Sequence, residues 1–239
     1  MRIDKMLANL GYGSRKDVKK LLKDGAVTVN DEKVKDPKHQ VDPEQDAVII
    51  NGEKVEYKEY IYLMMNKPPG VISATEDSQF ETVVDLLEME DLVFSPFPVG
   101  RLDRDTEGLL LLTNDGQLAH RLLSPKKHVP KTYFAVIDRE VTADDVAAFK
   151  KGVILDDGYE TKPGKLEILK SGITSDIELT ITEGKFHQVK RMFEAVGKRV
   201  IYLKRISMGP LELDVTLELG EYRELTDEEL DKLLNYEVR

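Results

Sequence analysis

The sequence predicts an α+β fold in two parts, a small domain at the amino terminus and a larger domain with a mixed, largely antiparallel sheet. Residues 1–23 carry two short helical patterns. In the rest of the chain strand patterns dominate, and helices occur at irregular intervals rather than in strict alternation with strands. With 239 residues, of which 41% are hydrophobic, the chain has room for one large domain and a small one.

The small domain begins with two helices. Four apolar residues fall at i, i+3, i+4 and i+7, the buried stripe of a short helix: Ile3, Met6, Leu7 and Leu10. Ser14 is a good N-cap for a second helix, with Asp17 three residues on to complete a capping box, and Gly25 ends it. A short strand at residues 26–29 and a turn at residues 30–31 follow.

Charge is distributed unevenly along the chain. The formal net charge of -10 argues against a protein that coats nucleic acid indiscriminately, because a negative surface repels phosphates. Residues 1–23, however, carry seven Lys or Arg against two Asp, and residues 185–205 carry seven against a single Glu. Two basic patches on an acidic body are typical of a selective RNA binder.

The string SRKDVKKLLKDGAVTVN at residues 14–30, preceded by the first helix, resembles the small RNA-binding domain of the ribosomal protein S-four type. The resemblance covers about residues 1–50 and implies contacts with RNA phosphates, which position a protein without reading bases. The cations to which it gives this role are Arg2, Lys5, Arg15, Lys16 and Lys19. We place the linker in the polar segment at residues 51–60 and predict domains at residues 1–58 and 59–239.

In the larger domain, apolar runs and period-two alternation predict strands at residues 61–65, 109–112, 132–137 and 177–181. Helical patterns cover residues 81–87, 117–123 and about 186–196. A further helix is capped by Thr142 with Asp145 and ended by Gly152.

Residues 100–116, read as GRLDRDTEGLLLLTNDG, place one acid between two cations directly before a buried strand. Asp103 has Arg101 and Arg104 on either side, and four consecutive leucines follow. Removing charge from water is costly unless the charge is paired, so this spacing favours a functional site over a solvated face. An isolated Asp and Arg pair would instead indicate a capped turn.

Three segments together resemble the signature of the pseudouridine synthases: residues 100–116, KTYFAV at 131–136 and EGKFHQVKRMF at 183–193. Their order and spacing resemble the subfamily that modifies ribosomal RNA and carries the amino-terminal domain described above. The resemblance implies the pseudouridine synthase fold, isomerisation of one uridine, and Asp103 as the catalytic residue. Lys190 stands where most members have Arg, which favours a target in the small ribosomal subunit; the large subunit is the alternative.

This isomerisation explains the residue types. The bond from ribose to a ring nitrogen breaks and the ribose is rejoined to a ring carbon, with no oxidation and no group lost, so we expect neither cofactor nor metal. Asp103 attacks the sugar, attacks the uracil ring or moves a proton, and the sequence leaves these routes open. A buried carboxylate needs a cation to stay ionised, and we assign that role to Lys190.

The resemblance also assigns Tyr133 to the site, where its ring stacks on the target uracil and its hydroxyl takes part in proton transfer. A uridine inside folded RNA must leave its stack to be reached. The planar guanidinium of Arg101 is expected to fill the vacated space, and Arg104 to hold a phosphate. His187 and Gln188 are expected to flank the site.

Cysteine is absent, which excludes disulfides and thiolate metal sites and agrees with a reducing cytoplasm. No segment approaches the roughly 20 apolar residues of a membrane span, and the amino terminus has an amphipathic pattern rather than that of a signal peptide. We expect a cytoplasmic monomer that acts on ribosomal RNA in a partly assembled small subunit. Two other classes remain open: a non-catalytic RNA-binding assembly factor, and a hydrolase of N-glycosidic bonds.

Overall fold

A computed structural model describes residues 1–55 and 57–236, and the chain divides into two compact units. The first unit comprises Met1–Ile61 and the segment Leu87–Pro96, and the second comprises Tyr62–Leu86 and Phe97–Arg239. The first unit is therefore not continuous in the chain. Within the described residues, no helix is both long and apolar enough to cross a membrane.

The first unit packs helices against a small antiparallel sheet with the strand order β2-β1-β3-β4. Its elements are α1 (Ile3–Asn9), α2 (Arg15–Lys23), β1 (Val27–Val29), β2 (Glu32–Lys33), β3 (Val48–Ile50), β4 (Glu53–Val55) and α3 (Met89–Leu92). The predicted capping box is confirmed, since the amide of Ser14 donates to Asp17 Oδ2 at 2.9 Å and the amide of Asp17 donates to Ser14 Oγ at 3.3 Å. The apolar stripe of α2 lies in the core through Val18 and Leu22.

The prediction of a linker over all of residues 51–60 is wrong, because β4 lies within that segment. Asn51 and Gly52 have φ values of 52° and 90°, so they form a tight left-handed turn between β3 and β4. Val55 pairs with Val48 and is buried. An Asn-Gly pair between two strand-forming runs is a strong hairpin signal that outweighs the polarity of the surrounding residues.

The second unit is built on a nine-stranded sheet with the order β13-β5-β7-β11-β8-β10-β9, with β12 paired to β11 and β6 to β7. Its strands are β5 (Tyr62–Lys67), β6 (Phe97–Pro98), β7 (Glu107–Thr113), β8 (Lys131–Ile137), β9 (Lys165–Lys170), β10 (Ser175–Ile181), β11 (Val200–Met208), β12 (Leu211–Glu212) and β13 (Tyr222–Glu224). Its helices are α4 (Gly116–Leu123), α5 (Ala143–Lys151), α6 (Gln188–Ala195) and α7 (Asp227–Leu234). Among the strand pairs of this sheet in the described residues, only β7 with β11 is parallel, so the predicted mixed, largely antiparallel sheet is confirmed.

The helix predicted at residues 81–87 is wrong. Thr82 donates to Asp85 Oδ2 from both its amide and its hydroxyl, at 2.8 and 2.9 Å, and the amide of Asp85 donates back to Thr82 Oγ1. These bonds close a single turn, and the segment has no further helical turns. Val83 and Leu87 are buried and lie four positions apart, which is the spacing of a helix. An apolar pattern that short does not distinguish a single turn from a helix.

The parallel pair at the centre of the sheet depends on a glycine. Gly108 in β7 has a φ of +102°, and a Cβ added there would lie 2.2 Å from the carbonyl oxygen of Arg205 in β11. Only glycine permits this approach without displacing the backbone. The contact fixes the start of β7, and so the loop that carries Asp103, against the neighbouring strand.

Candidate active site

A pocket of about 70 Å³ in the second unit brings together residues from all three signature segments. It is formed by the loop before β7, the strand β8 and the segment that leads into α6. Its lining includes Arg101, Asp103, Thr106, Tyr133, Lys185 and His187. Residues far apart in the chain thus meet at one site, which is the arrangement expected of an active centre.

The loop that carries Asp103 is held by hydrogen bonds from both sides. The amide of Leu102 donates to Ser73 Oγ at 3.0 Å, and that hydroxyl donates to the carbonyl of Leu102 at 3.1 Å. The amide of Thr106 donates to the carbonyl of Asp103 at 3.0 Å. Asp103 therefore stands on a fixed turn, with its side chain about a quarter exposed to solvent.

A buried lysine that sequence reasoning missed supports the same loop. Lys67 ends β5 and is fully buried, and its Nζ donates to the carbonyls of Pro68, Arg104 and Thr106 at 2.8, 3.3 and 3.0 Å. Burial lowers the pKa of Lys67 to about 8 against the attraction of nearby carboxylates. The sequence feature that could have identified Lys67 is its position at the end of an apolar strand, directly before Pro-Pro-Gly.

Lys190, the third residue of α6, lies between two carboxylates. Its Nζ is 3.3 Å from Asp103 Oδ2 and 2.6 Å from Asp105 Oδ1. Burial alone would raise the pKa of Asp105, but the hydrogen bond and the charge of Lys190 outweigh it and hold that pKa below its usual value. The structure thus brings Lys190 to Asp103 and adds Asp105, which sequence reasoning did not single out.

An aromatic pair borders the pocket on its exposed side. His187 precedes α6 with a left-handed φ of 48°, and its Nε2 lies 3.7 Å from Asp103 Oδ1. The ring of Phe186 stacks on the His187 ring with centroids 3.8 Å apart, and Phe186 is 75% exposed. An exposed aromatic next to a site is suited to contact with a nucleic-acid base.

Tyr133 lies in β8 and forms a buried wall of the pocket. Its strand neighbours are Leu179 in β10 and Arg205 in β11. Ile181 and Leu203 complete an apolar wall beside the aromatic ring. This wall gives the pocket a flat, apolar surface.

The two arginines beside Asp103 lie in different surroundings. Arg101 is exposed and contributes to the lining of the pocket. Arg104 donates from Nε to the carbonyl of Gly70 at 2.9 Å, and its guanidinium lies 4.1 Å from the centroid of the Phe80 ring. The loop and this aromatic ring therefore hold Arg104, which is not among the residues that line the pocket.

Of the five cations assigned to RNA in the first unit, Lys5, Arg15, Lys16 and Lys19 are exposed. Arg2 is partly committed within the domain, since its Nε and Nη2 donate to the two oxygens of buried Asp4 at 3.0 and 2.6 Å. Asp4 would be an unpaired buried charge without it. The ion pair of Arg2 with Asp4 therefore has a structural role within the domain.

Comparison with family models identifies the class of RNA-modifying enzyme to which this fold belongs. The family model described as RNA pseudouridylate synthase matches residues 61–195, and that of the S4 domain matches residues 1–46. The chain belongs to the RNA pseudouridylate synthase family, whose members are isomerases, and carries an amino-terminal S4 RNA-binding domain. The family membership predicted from the three signature segments is confirmed.

Relatives match the chain over nearly its full length. It is 60% identical over 235 residues to a protein of Bacillus subtilis (strain 168) named as an uncharacterized RNA pseudouridine synthase, with 98% of both chains covered. It is 41% identical over 237 residues to the ribosomal small subunit pseudouridine synthase A of Haemophilus influenzae, covering 98% of this chain and 100% of that protein. A crystal structure of a pseudouridylate synthase matches with a TM-score of 0.68 and 40% identity, covering 98% of this chain and 99% of the other.

Proposed function

We propose that this protein converts one uridine of small-subunit ribosomal RNA to pseudouridine at the pocket around Asp103. The observation that carries the proposal is the meeting of Asp103, Lys190 and Tyr133 from three separate chain segments. The choice of target is supported by full-length similarity to the ribosomal small subunit pseudouridine synthases A of Haemophilus influenzae and of Escherichia coli (strain K12), the latter 39% identical over 231 residues.

In this reaction the bond between ribose C1′ and uracil N1 breaks, the uracil turns, and a bond forms between C1′ and C5. C5 loses its proton and N1, which carried the ribose in the substrate, gains one, so the product has the same atoms as the substrate. Asp103 is the group that acts at the reacting centre, as a nucleophile towards C1′ or the uracil ring or as a proton acceptor. The ammonium of Lys190 at 3.3 Å stabilises the negative charge that each of these roles requires.

The target uracil must leave the RNA stack before it can react. Its eversion costs a few kcal/mol, which contacts with the protein offset. Tyr133 supplies a ring on which the base stacks, and Ile181 and Leu203 exclude water from its edge. Arg101, exposed beside the pocket, is placed to occupy the space that the base leaves, and Arg104 to hold a phosphate from its position over Phe80.

The S4 domain increases affinity for structured RNA through its exposed cations Lys5, Arg15, Lys16 and Lys19. In this proposal the functional division of the chain is residues 1–58 for RNA binding and 59–239 for catalysis. The enzyme acts as a monomer in the cytoplasm on a partly assembled small subunit. Comparing modification of naked ribosomal RNA with modification of assembly particles by the purified protein tests the last point.

Mapping pseudouridines across both ribosomal RNAs, in cells with and without the gene, tests the proposal. We expect one mark to be lost from small-subunit RNA, and to be restored by the wild type but not by Asp103→Ala. A mark lost from large-subunit RNA instead would change the assigned target. An unchanged map would contradict the proposed function, and release of free uracil by the purified protein would indicate a hydrolase.

A further inference from the structure

A second, larger cavity of about 410 Å³ adjoins the catalytic pocket. The two share four lining residues, Arg101, Tyr133, Gly184 and Lys185, so an RNA segment that enters one also reaches the other. The isomerisation described above does not use the remaining wall of this cavity. Its chemistry differs from that of the catalytic pocket because its buried side carries two cations.

These two cations are Arg205 and Lys131. Arg205 is only 2% exposed, and its Nε donates to the carbonyl of Leu109 at 2.8 Å, whereas its Nη2 has no hydrogen-bond partner among the described residues. Nζ of Lys131 donates to the carbonyl of Val129 at 3.1 Å. Burial and the charge of Arg205 lower the pKa of Lys131 to about 8. A buried N–H without an acceptor beside a second, half-buried cation is costly in the absence of an anion.

The other charges of the cavity wall do not neutralise this pair. Arg101, Lys162 and Lys185 add three further cations, and Glu183 is the one carboxylate among the described lining residues. Glu183 accepts hydrogen bonds from the Tyr159 hydroxyl at 2.7 Å, the Lys162 amide at 2.9 Å and Gln188 Nε2 at 2.6 Å. Its two oxygens are thus engaged within the wall, and the cavity is strongly positive in a chain of net charge -10.

We infer that this cavity is a phosphate subsite that binds a phosphodiester of the RNA backbone next to the everted uridine, with Arg205 Nη2 and Lys131 Nζ as donors. The inference rests on the proposed function for the identity of the strand. A phosphate oxygen accepts from the guanidinium N–H that has no partner and compensates the charges of buried Arg205 and half-buried Lys131, which an uncharged acceptor does only in part. A free phosphate ion offers the same chemistry, so the experiment must separate the two sources.

Lys131→Met is the informative variant, because it removes the charge and keeps the length of the side chain. Arg205 also bonds the backbone of β7, so its loss would disturb the fold. Lys131→Arg restores a cation, and Lys204→Met is the matched control, since Lys204 lies on the same sheet but lines a groove with Thr132 and Phe134 on the opposite face. The probe is a small-subunit RNA fragment that contains the mapped uridine, with a single neutral methylphosphonate in place of each flanking phosphate in turn.

We expect Lys131→Met to weaken binding of the unmodified fragment about tenfold, and Lys131→Arg to recover most of this loss. At one flanking position the methylphosphonate should weaken binding to the wild type and to Lys204→Met about tenfold, and it should cause no further loss of binding to Lys131→Met.

Equal losses of binding in Lys131→Met and the wild type at every methylphosphonate position would overturn the inference. A second result would also overturn the inference. If inorganic phosphate competes with RNA binding only when Lys131 is present, while the methylphosphonate penalties are equal in Lys131→Met and the wild type, the cavity binds a free phosphate ion. Binding is measured apart from turnover, so bound RNA without any pseudouridine would count against the proposed function alone.

Discussion

At the residue scale, the ammonium of Lys190 is shared by two carboxylates. Lys190 contacts Asp105 at 2.6 Å and Asp103 at 3.3 Å, and it is about four-fifths buried whereas Asp105 is 73% exposed. A charge pair gains more from an interaction that is shielded from water than from one at the surface. We therefore expect the contact with Asp103 to matter more to the proposed reaction, although the contact with Asp105 is shorter.

Comparing Lys190→Met with Asp105→Asn tests which of the two Lys190 contacts matters more. We expect kcat to fall about 100-fold with a smaller change in KM, because the interaction acts on the reacting group, and Lys190→Arg to retain most of the activity. Asp105→Asn, which leaves Asp103 and Lys190 in place, should lower kcat less than tenfold. Single-turnover rates on the mapped RNA fragment measure these effects, and equal losses in Lys190→Met and Asp105→Asn would refute the ranking.

Sequence motifs led to Asp103, Tyr133 and Lys190, and the structure brings these three together. Sequence reasoning missed three charged residues: Lys67 and Arg205, whose roles depend on burial, and Asp105, which is exposed and contacts Lys190. Burial of a single Lys or Arg is set by strand pairing between distant parts of the chain, and a local pattern carries no information about it. For Lys67, a charged residue at the end of an otherwise apolar strand was the available signal.

At the element scale, the end of β5 supports the catalytic loop through Lys67, whose Nζ donates to three backbone carbonyls. The pKa of Lys67 is lowered from 10.5 to about 8 by burial. Between these two values the unfolded chain binds more protons at this group than the folded protein does. The contribution of Lys67 to the free energy of unfolding therefore rises with pH from about 8 to 10.5.

Comparison of the wild type with Lys67→Met by urea denaturation from pH 8 to 10.5 measures this contribution. We expect the stability difference to shift in favour of the wild type by up to about 3 kcal/mol across the window, because each pKa unit corresponds to about 1.4 kcal/mol. Lys165→Met, at an exposed lysine, should show no such shift in favour of the wild type. Parallel curves for the wild type and Lys67→Met would contradict the assigned role.

Elements with explicit local signals were predicted well. The capping boxes of α2 and α5 and the alternation of β10 are all found in the structure. The failures were a single turn at residues 81–87 that has the apolar spacing of a helix, and a hairpin at Asn51 and Gly52 hidden in a polar segment. In both cases a short-range hydrogen bond or backbone preference decided the structure, and the hydrophobic pattern did not.

At the scale of the whole molecule, an acidic chain must bind a polyanion through local patches of positive charge. We expect the exposed cations of the S4 domain to be one such patch; they belong to the first compact unit, whereas the pocket around Asp103 belongs to the second. Contacts with phosphates position RNA without reading its bases. Removing these cations should therefore change affinity and leave the chemical step intact.

The triple variant of Arg15, Lys16 and Lys19 to Gln tests this separation. We expect KM to rise at least about tenfold with kcat within about twofold, and the slope of log affinity against log salt concentration to fall by about 2 to 3. Gln at Lys33, Lys35 and Lys38, three exposed lysines of the same unit, is the charge-matched control and should have a smaller effect. A fall in kcat at unchanged KM would place these residues in catalysis instead.

We propose that the Asp103 carboxylate isomerises uridine in a pocket that Tyr133 also lines, with the Lys190 ammonium 3.3 Å from that carboxylate. The most direct measurement is release of tritium from small-subunit RNA labelled at uridine C5, because bond formation between C1′ and C5 displaces that hydrogen. The account predicts about one equivalent of tritium per RNA with the purified wild type and none with Asp103→Asn, although that variant still binds the RNA. Tritium release by Asp103→Asn at the wild-type rate would contradict it.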